Sequence, residues 1–199
     1  MPLRTTQLQA LKTAINGNPT WDAYPQTSDG YVALAVALNQ LANPAFTVWR
    51  TEAPTTTVLD AIDFSKYTPS AALDDATVST QLIATQRQAQ LLAIQTKQMN
   101  LQMMTQGRAT LDASKPNIRA GLRDAVIQLP AGSGGAGVTA AGANGVNVLN
   151  ACTRAATEAE KILATASQGS DTTGGVTARV MGFEGALSGG DVEAARNLP

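Results

Sequence analysis

Apolar positions recur at helical spacing along most of this chain, and very little of it alternates as a strand would. Leu8, Leu11 and Ile15 form one stripe, with Thr6 and Gln9 in capping-box spacing before it and Asn16-Gly17 after it, which predicts a first short helix. A second helix is expected from Ser28, which caps a stripe of Tyr31, Leu34, Ala35, Leu38 and Leu41, and Asn43-Pro44 ends it. FTVWR, residues 46–50, does alternate but has no hairpin partner nearby, so it is expected as an extended strap with Phe46 and Trp49 packed on the helices. Residues 51–76 read as an irregular connection in which Pro54 and Pro69 bracket a short helix, VLDAIDF, followed by a turn at DFSKYTPS.

The dominant element follows. Between Thr80 and Ala113 there is no proline and Gly107 is the only glycine. A helix of that length would span roughly 50 Å, more than a small compact domain needs. Pro116 then breaks or kinks the path. Ser114 can cap a new helix striped by Ile118, Leu122, Val126 and Leu129 and closed by Pro130, and two antiparallel helices or one kinked helix fit equally well.

Within the long helix the polar positions are unusual. Gln81 to Gln106 contains eight glutamines and only two charges, Arg87 and Lys97. One apolar line runs through Leu82, Ala89, Leu92, Met99 and Met103, and a second, displaced around the cylinder, through Ile83, Leu91, Ile94, Leu101 and Met104. A surface helix ordinarily buries one stripe and shows charges opposite. A wide apolar arc completed by amides suits a helix that faces mostly protein, supplied either by neighbouring chains or by its own bundle.

Two stretches of low charge follow. AGSGGAGVTAAGANG, residues 131–145, lies inside an uncharged run from 125 to 153 and is expected as a flexible loop. It has neither the preceding strand nor the Lys-Ser/Thr pair of a phosphate-binding loop. VNVLNAC and the capping-box stretch TEAEKILA, 157–164, are helical by pattern. Residues 167–190 are glycine-rich with three charges, and DVEAARN gives a last short helix started by Ser188 and Asp191. The expected organisation is a mainly α helical bundle around one long helix: a body of residues 1–166 including the loop at 131–145, and an extended C-terminal arm of 167–199.

Composition sharpens this picture. Charged residues make up 15% of the 199, the formal net charge is −1, and aromatics are 4%. A domain with a quarter of its residues charged would be typical, so much of this surface is expected to be covered by partners. The single cysteine, Cys152, excludes an internal disulfide and is expected as a small buried hydrophobe. The N-terminus lacks the apolar core of a secretion signal and no apolar run reaches membrane-span length, so synthesis in a cytoplasm without membrane insertion is expected.

Catalytic chemistry finds little to stand on. The chain has no histidine, hence no imidazole base, metal ligand or Ser-His-Asp triad. Asp74 and Asp75, Glu158 and Glu160 read as acids near helix N-termini. Arg119 and Arg123, one turn apart with Arg108 and Lys115 upstream, form a mild basic edge that Asp112 and Asp124 dilute, and it reads as a solvated face rather than a nucleic-acid reader. No cofactor or metal is called for, and an enzyme is not expected.

QGRATLDASKPNIRAGLRDAVIQLPAG, TRAATEAEKILATA and GFEGALSGGDVEAARN together resemble a family of small structural proteins of tailed bacteriophages. The shared features are a long amide-rich helix, an IRAGLxDAL-type segment, a glycine-rich insertion, a TRAEK-type helix and a terminal FEGxLSxxDVxAARN element. The likeness covers the second half well and the first half loosely, and Pro116 departs from it. Among such parts a head-to-tail adaptor fits best. That resemblance implies a homo-oligomeric ring of about twelve copies below the portal, assembled in the host cytoplasm and carried in the virion. Its partners would be the portal protein and tail or nozzle proteins, with DNA only as passing cargo in the lumen. The contact residues expected on this reading are Leu92, Met99, Met103 and Met104 on the long helix, and Phe183, Leu187 and Val192 as apolar anchors of the tail. Residues 131–145 and 169–199 would be the docking segments. A capsid decoration or tail protein, and a small cytoplasmic helical assembly chaperone, are the competing readings, with a lumen-facing enzyme such as a cell-wall hydrolase behind them.

Overall fold

A computed structural model describes residues 3–67, 80–127, 143–164, 171–173 and 175–199. In chain order its elements are α1 (Thr5–Gly17), α2 (Pro19–Asp22), α3 (Ser28–Leu38), β1 (Thr47–Trp49), β2 (Ala53–Pro54), α4 (Thr55–Asp60), a 3-10 turn (Phe64–Tyr67), α5 (Thr80–Thr105), β3 (Thr110–Leu111), α6 (Pro116–Val126), α7 (Ala143–Ala151), β4 (Thr153–Ala155), α8 (Glu158–Leu163), β5 (Asp171–Thr173), β6 (Val176–Ala178) and α9 (Gly189–Arg196). The described chain is mainly helical, and its strands form only two-stranded pairs, β1 with β4, β2 with β3 and β5 with β6. It divides into two compact units. The first comprises Met1–Trp49, Arg154–Asp171 and Ala178–Pro199; the second comprises Arg50–Thr153 and Thr172–Thr177. This division cuts across the boundary at 166/167 expected from the sequence, because the last helix joins the first ones.

The first unit is built around Leu11 and Ile15 of α1, Leu34 and Leu38 of α3, Ala159 and Leu163 of α8, and Leu187, Val192 and Ala195 in and before α9. Local chemistry sets where each helix begins. The Arg4 N–H donates to Gln7 Oε1 at 2.9 Å, so the side-chain cap of α1 lies two residues before the expected Thr6–Gln9 pair. Thr27, rather than Ser28, holds the start of α3, its Oγ1 accepting from the Gly30 N–H at 3.3 Å. Gly30 is required there, since a Cβ would stand 2.0 Å from the Pro25 carbonyl oxygen. The capping box expected in TEAEKILA forms, Thr157 with Glu160, and Ser188 and Asp191, expected to start the last helix, form another.

FTVWR is a strand with main-chain partners far away in sequence. The Ala156 N–H donates to the Phe46 carbonyl at 2.8 Å, and Trp49 and Arg179 exchange bonds along the other edge, Trp49 N–H to the Arg179 carbonyl at 2.8 Å and Arg179 N–H to the Thr47 carbonyl at 2.9 Å. Trp49 is fully buried, as the strap reading required. Leu41, assigned to the α3 stripe, instead lies beyond the helix end and is 69% exposed.

The C-terminal residues 179–199 do not form an extended arm. Leu187 and Val192, expected to anchor a partner, are 4% and 0% exposed within the first unit's own core. Asn39 fixes the approach of this segment, its Nδ2 donating to the Leu187 carbonyl at 2.9 Å while its Oδ1 accepts from the Leu187 N–H at 2.8 Å.

In the second unit, α5 and α6 are separate antiparallel helices. Met104 lies against Gly121, and Lys97 donates to the Asp124 carbonyl. Gly107, at φ 71°, takes the left-handed conformation that ends α5, and the chain returns through β3, paired with β2 at Ala53↔Leu111. Lys115 rather than Ser114 precedes α6, with Pro116 in its first turn. α6 packs in turn on α7, and α7 on α4. Cys152 is buried, and that burial pushes its thiol up to about 11. Leu82, Ile83, Asp74, Asp75, Leu129, Pro130, the DFSKYTPS segment after Tyr67, the glycine-rich stretch up to residue 142 and residues 165–170 lie outside what is described, at least in their side chains.

Candidate functional site

The second unit presents α5 with one face covered and the opposite face open. Successive helical residues are about 100° apart, so Ile94 and Leu101 share one side, while Leu92, Met99 and Met103 fall within about 40° of each other on the other. The first pair is buried, at 5% exposure each. The second set is 65%, 60% and 70% exposed. Leu91, between the two faces, is also exposed.

Packing on α6 explains the difference. Met104 turns its thioether toward Gly121, where a Cβ would meet Met104 Cε and Sδ at 3.0 Å. Lys97 is drawn to the C-terminal part of α6 by the Asp124 carbonyl and by its carboxylate 3.8 Å away. The expectation that this helix faces mostly protein is therefore corrected for the single chain: α6 covers one side only, and the amide-bearing side meets solvent. Of the four residues proposed on this helix, the structure brings Leu92, Met99 and Met103 together on the open face and places Met104 on the covered one.

Phe183 is half-buried in the first unit and lines an open groove of about 630 Å³ with Leu3, Gln7, Glu184, Ser188 and Asp191. The Gln7 amide donates to the Gly182 carbonyl at 2.9 Å and holds this segment to α1. Behind it lies the main charged cluster of the unit. Arg154 binds the buried Glu160 through both terminal nitrogens, at 2.7 and 2.6 Å, and reaches Glu184 at 3.2 Å. Burial opposes ionisation of Glu160, but the bonds from Arg154, the Thr157 N–H and the Gly185 N–H outweigh it and hold the carboxyl below its usual range. This is a structural brace: every oxygen of Glu160 is engaged within the protein, leaving none to act on a ligand.

The basic edge read from Arg119 and Arg123 is also revised. Arg119 is fully buried in the second unit and donates from one nitrogen to the Ala113 and Ser114 carbonyls, both at 2.8 Å. It closes the turn before α6, so the guanidinium is unavailable to phosphate. Among the described residues no cluster of three or more metal-ligating acids or thiols occurs, and no helix is long and apolar enough to cross a membrane.

Sequence reasoning missed a second exposed apolar set, Val32 and Val36 on α3 with Leu41 just beyond, at 53%, 57% and 69% exposure. The signal was present. YVALAVAL is apolar all round, and a helix with no polar face needs cover on every side. Comparison with protein-family models, with curated protein sequences and with solved structures finds no match to this chain.

Proposed function

We propose that this protein is a structural virion protein of a tailed bacteriophage, a head-to-tail adaptor that forms a ring below the portal and joins the head to the tail. The observation that carries the reading is the open face of α5, where Leu92, Met99 and Met103 stand exposed in a stretch whose one described cation, Lys97, is turned away onto Asp124. Apolar side chains grouped in this way on a rod with only two charges mark a surface that another protein covers. The resemblance of the second half to phage structural proteins gives that cover its setting. Subunits packed side by side in a ring would enclose the α5 face, and the portal would template the ring. The tail anchors of this reading are reduced to Phe183, since Leu187 and Val192 are spent on the subunit's own core.

The test is direct. Purified DNA-filled particles are digested and analysed by mass spectrometry for this chain, and the isolated protein is mixed with the portal ring encoded with it and weighed by native mass spectrometry. Ring-sized mass increments and peptides in the particle are the expected results. A protein missing from particles, or one that leaves the portal mass unchanged, overturns the adaptor reading.

A further inference from the structure

We infer that the open face of α5 is a coiled-coil seam whose occupant is the same face of a second copy of this chain. Thr85, Ala89, Leu92, Thr96, Met99, Met103 and Gln106 are spaced alternately four and three residues apart, the a/d spacing of a heptad seam, and all seven are exposed. The spacing holds over three heptads, a run of roughly 32 Å. Ile94 and Leu101, the residues buried under α6, take the f position, diametrically away from the seam. The helix is thus held on its back by its own unit and left free along its front.

What lies beside the seam selects the occupant. On one flank, the g positions, stand Gln88, Gln95 and Gln102; on the other, the e positions, stand Ala93 and Asn100, and all five are exposed. These are the positions where charges ordinarily choose a coiled-coil partner, and here none is charged. A charged partner helix would set its ions against amides that cannot neutralise them. An identical helix offers amides, each both donor and acceptor, which pair with one another in either direction. The one hydroxyl at the middle of the seam is already satisfied, Thr96 Oγ1 donating to the Leu92 carbonyl at 2.9 Å. Met99 and Met103 give the seam pliable knobs, suited to a short self-pairing that yields to other contacts. This inference uses the same α5 face as the adaptor reading but does not rest on that reading, and it needs only the second unit.

Sedimentation equilibrium of the full chain over a wide concentration range tests it. The wild type is expected as a reversible dimer, and Met99→Lys with Met103→Lys is expected to weaken dimerisation by at least about a hundredfold, because each lysine would be buried without a counter-charge. Circular dichroism should not change, since both positions are exposed in the single chain. Val36→Lys, on another exposed apolar set, should leave the dimer intact. Thr96 lies within one residue of the midpoint between Thr85 and Gln106, so it faces its own copy in a parallel pair and lies one layer from it in an antiparallel one. Thr96→Cys should therefore cross-link to a covalent dimer under mild oxidation, while Gln9→Cys should not. A wild type that stays monomeric at every concentration, or a dimer indifferent to the lysines, overturns the seam. Either result leaves the portal test unaffected, and a solution dimer that never joins a portal would sink the adaptor reading alone.

Discussion

Two leucines of the first unit receive opposite assignments from the sequence and from the structure, and one substitution at each decides between them. Leu41 continues the α3 stripe on paper yet is 69% exposed; Leu187 belongs on paper to a docking arm yet is 4% exposed in the core with Ile15, Leu34 and Val192. Leu→Ala removes the same atoms in both cases. At Leu187 the cost is lost transfer free energy plus a cavity bounded by helices that cannot collapse fully, about 3 kcal/mol. At Leu41 the surface was already wet, and the cost is within about 0.5 kcal/mol. The two tryptophans, Trp21 and Trp49, both lie in the first unit, so urea unfolding followed by their emission reports on that unit. With a urea dependence of about 1.5 kcal/mol per molar, Leu187→Ala should move the midpoint down by about 2 M and Leu41→Ala by less than about 0.4 M. Equal midpoints, or the reverse order, would refute the placement of the C-terminal segment in the core and restore it as an arm.

Other expectations follow from the same unit and its partner. Gly30→Ala would drive a Cβ into the Pro25 carbonyl, 2.0 Å away, and should cost about 3 kcal/mol in the same urea assay, because backbone cannot swing aside as a side chain tip can. Asn39→Ala removes both bonds that hold the Leu187 backbone and should cost about 2 kcal/mol, with Asn39→Asp recovering only the accepting half. Glu160 has its folded carboxyl held below the unfolded value of 4.5, so its contribution is present above that pH and is lost as pH falls through the lower folded value. Thermal melts from pH 7 to pH 3 should therefore fall more steeply for the wild type than for Glu160→Gln, and parallel slopes would refute the assignment. Cys152, buried with its thiol pushed up to about 11, should react with a thiol reagent at pH 8 only after urea is added; prompt native labelling would show that it is not enclosed.

Much of the first unit's fold was legible because its signals are local. The Thr157–Glu160 and Ser188–Asp191 capping boxes involve residues three apart, and the α1 stripe of Leu8, Leu11 and Ile15 lies within eight residues, so each could be read without knowing the rest of the chain. What sequence could not supply was pairing at a distance. The strap at 46–50 finds its hydrogen bonds at Ala156 and Arg179, and Asn39 finds its own at Leu187, more than a hundred residues on. Arg119 was misassigned for a related reason. One turn from Arg123 it looks like half of a basic edge, whereas it is the carbonyls of Ala113 and Ser114, freed by the turn ahead of Pro116, that draw its guanidinium inward.

Scarcity of charge is one signal with two physical origins in this protein, and only periodicity separates them. Between 167 and 190 there are only three charges, and Leu187 there joins Val192 and Ala195 of α9 in filling a core, with Ser188 and Asp191 occupied in a cap. There the exposed remainder is small or polar, Gly182, Gly185, Ala186, Gly190 and Ala194 together with Glu184, Ser188, Glu193 and Asn197. Along α5 the reason is different, since Ile94 and Leu101 alone satisfy the need for a buried stripe, and the second line of Leu92, Met99 and Met103 exceeds it. A helix that needs one stripe and carries two on opposite sides has been given a second contact to make. The amides flanking that second stripe, where a helix destined for water would carry lysine and glutamate, extend the same argument. Interfaces in uncharacterised helical proteins should accordingly be sought where apolar spacing is redundant with respect to the fold, rather than wherever charge is low.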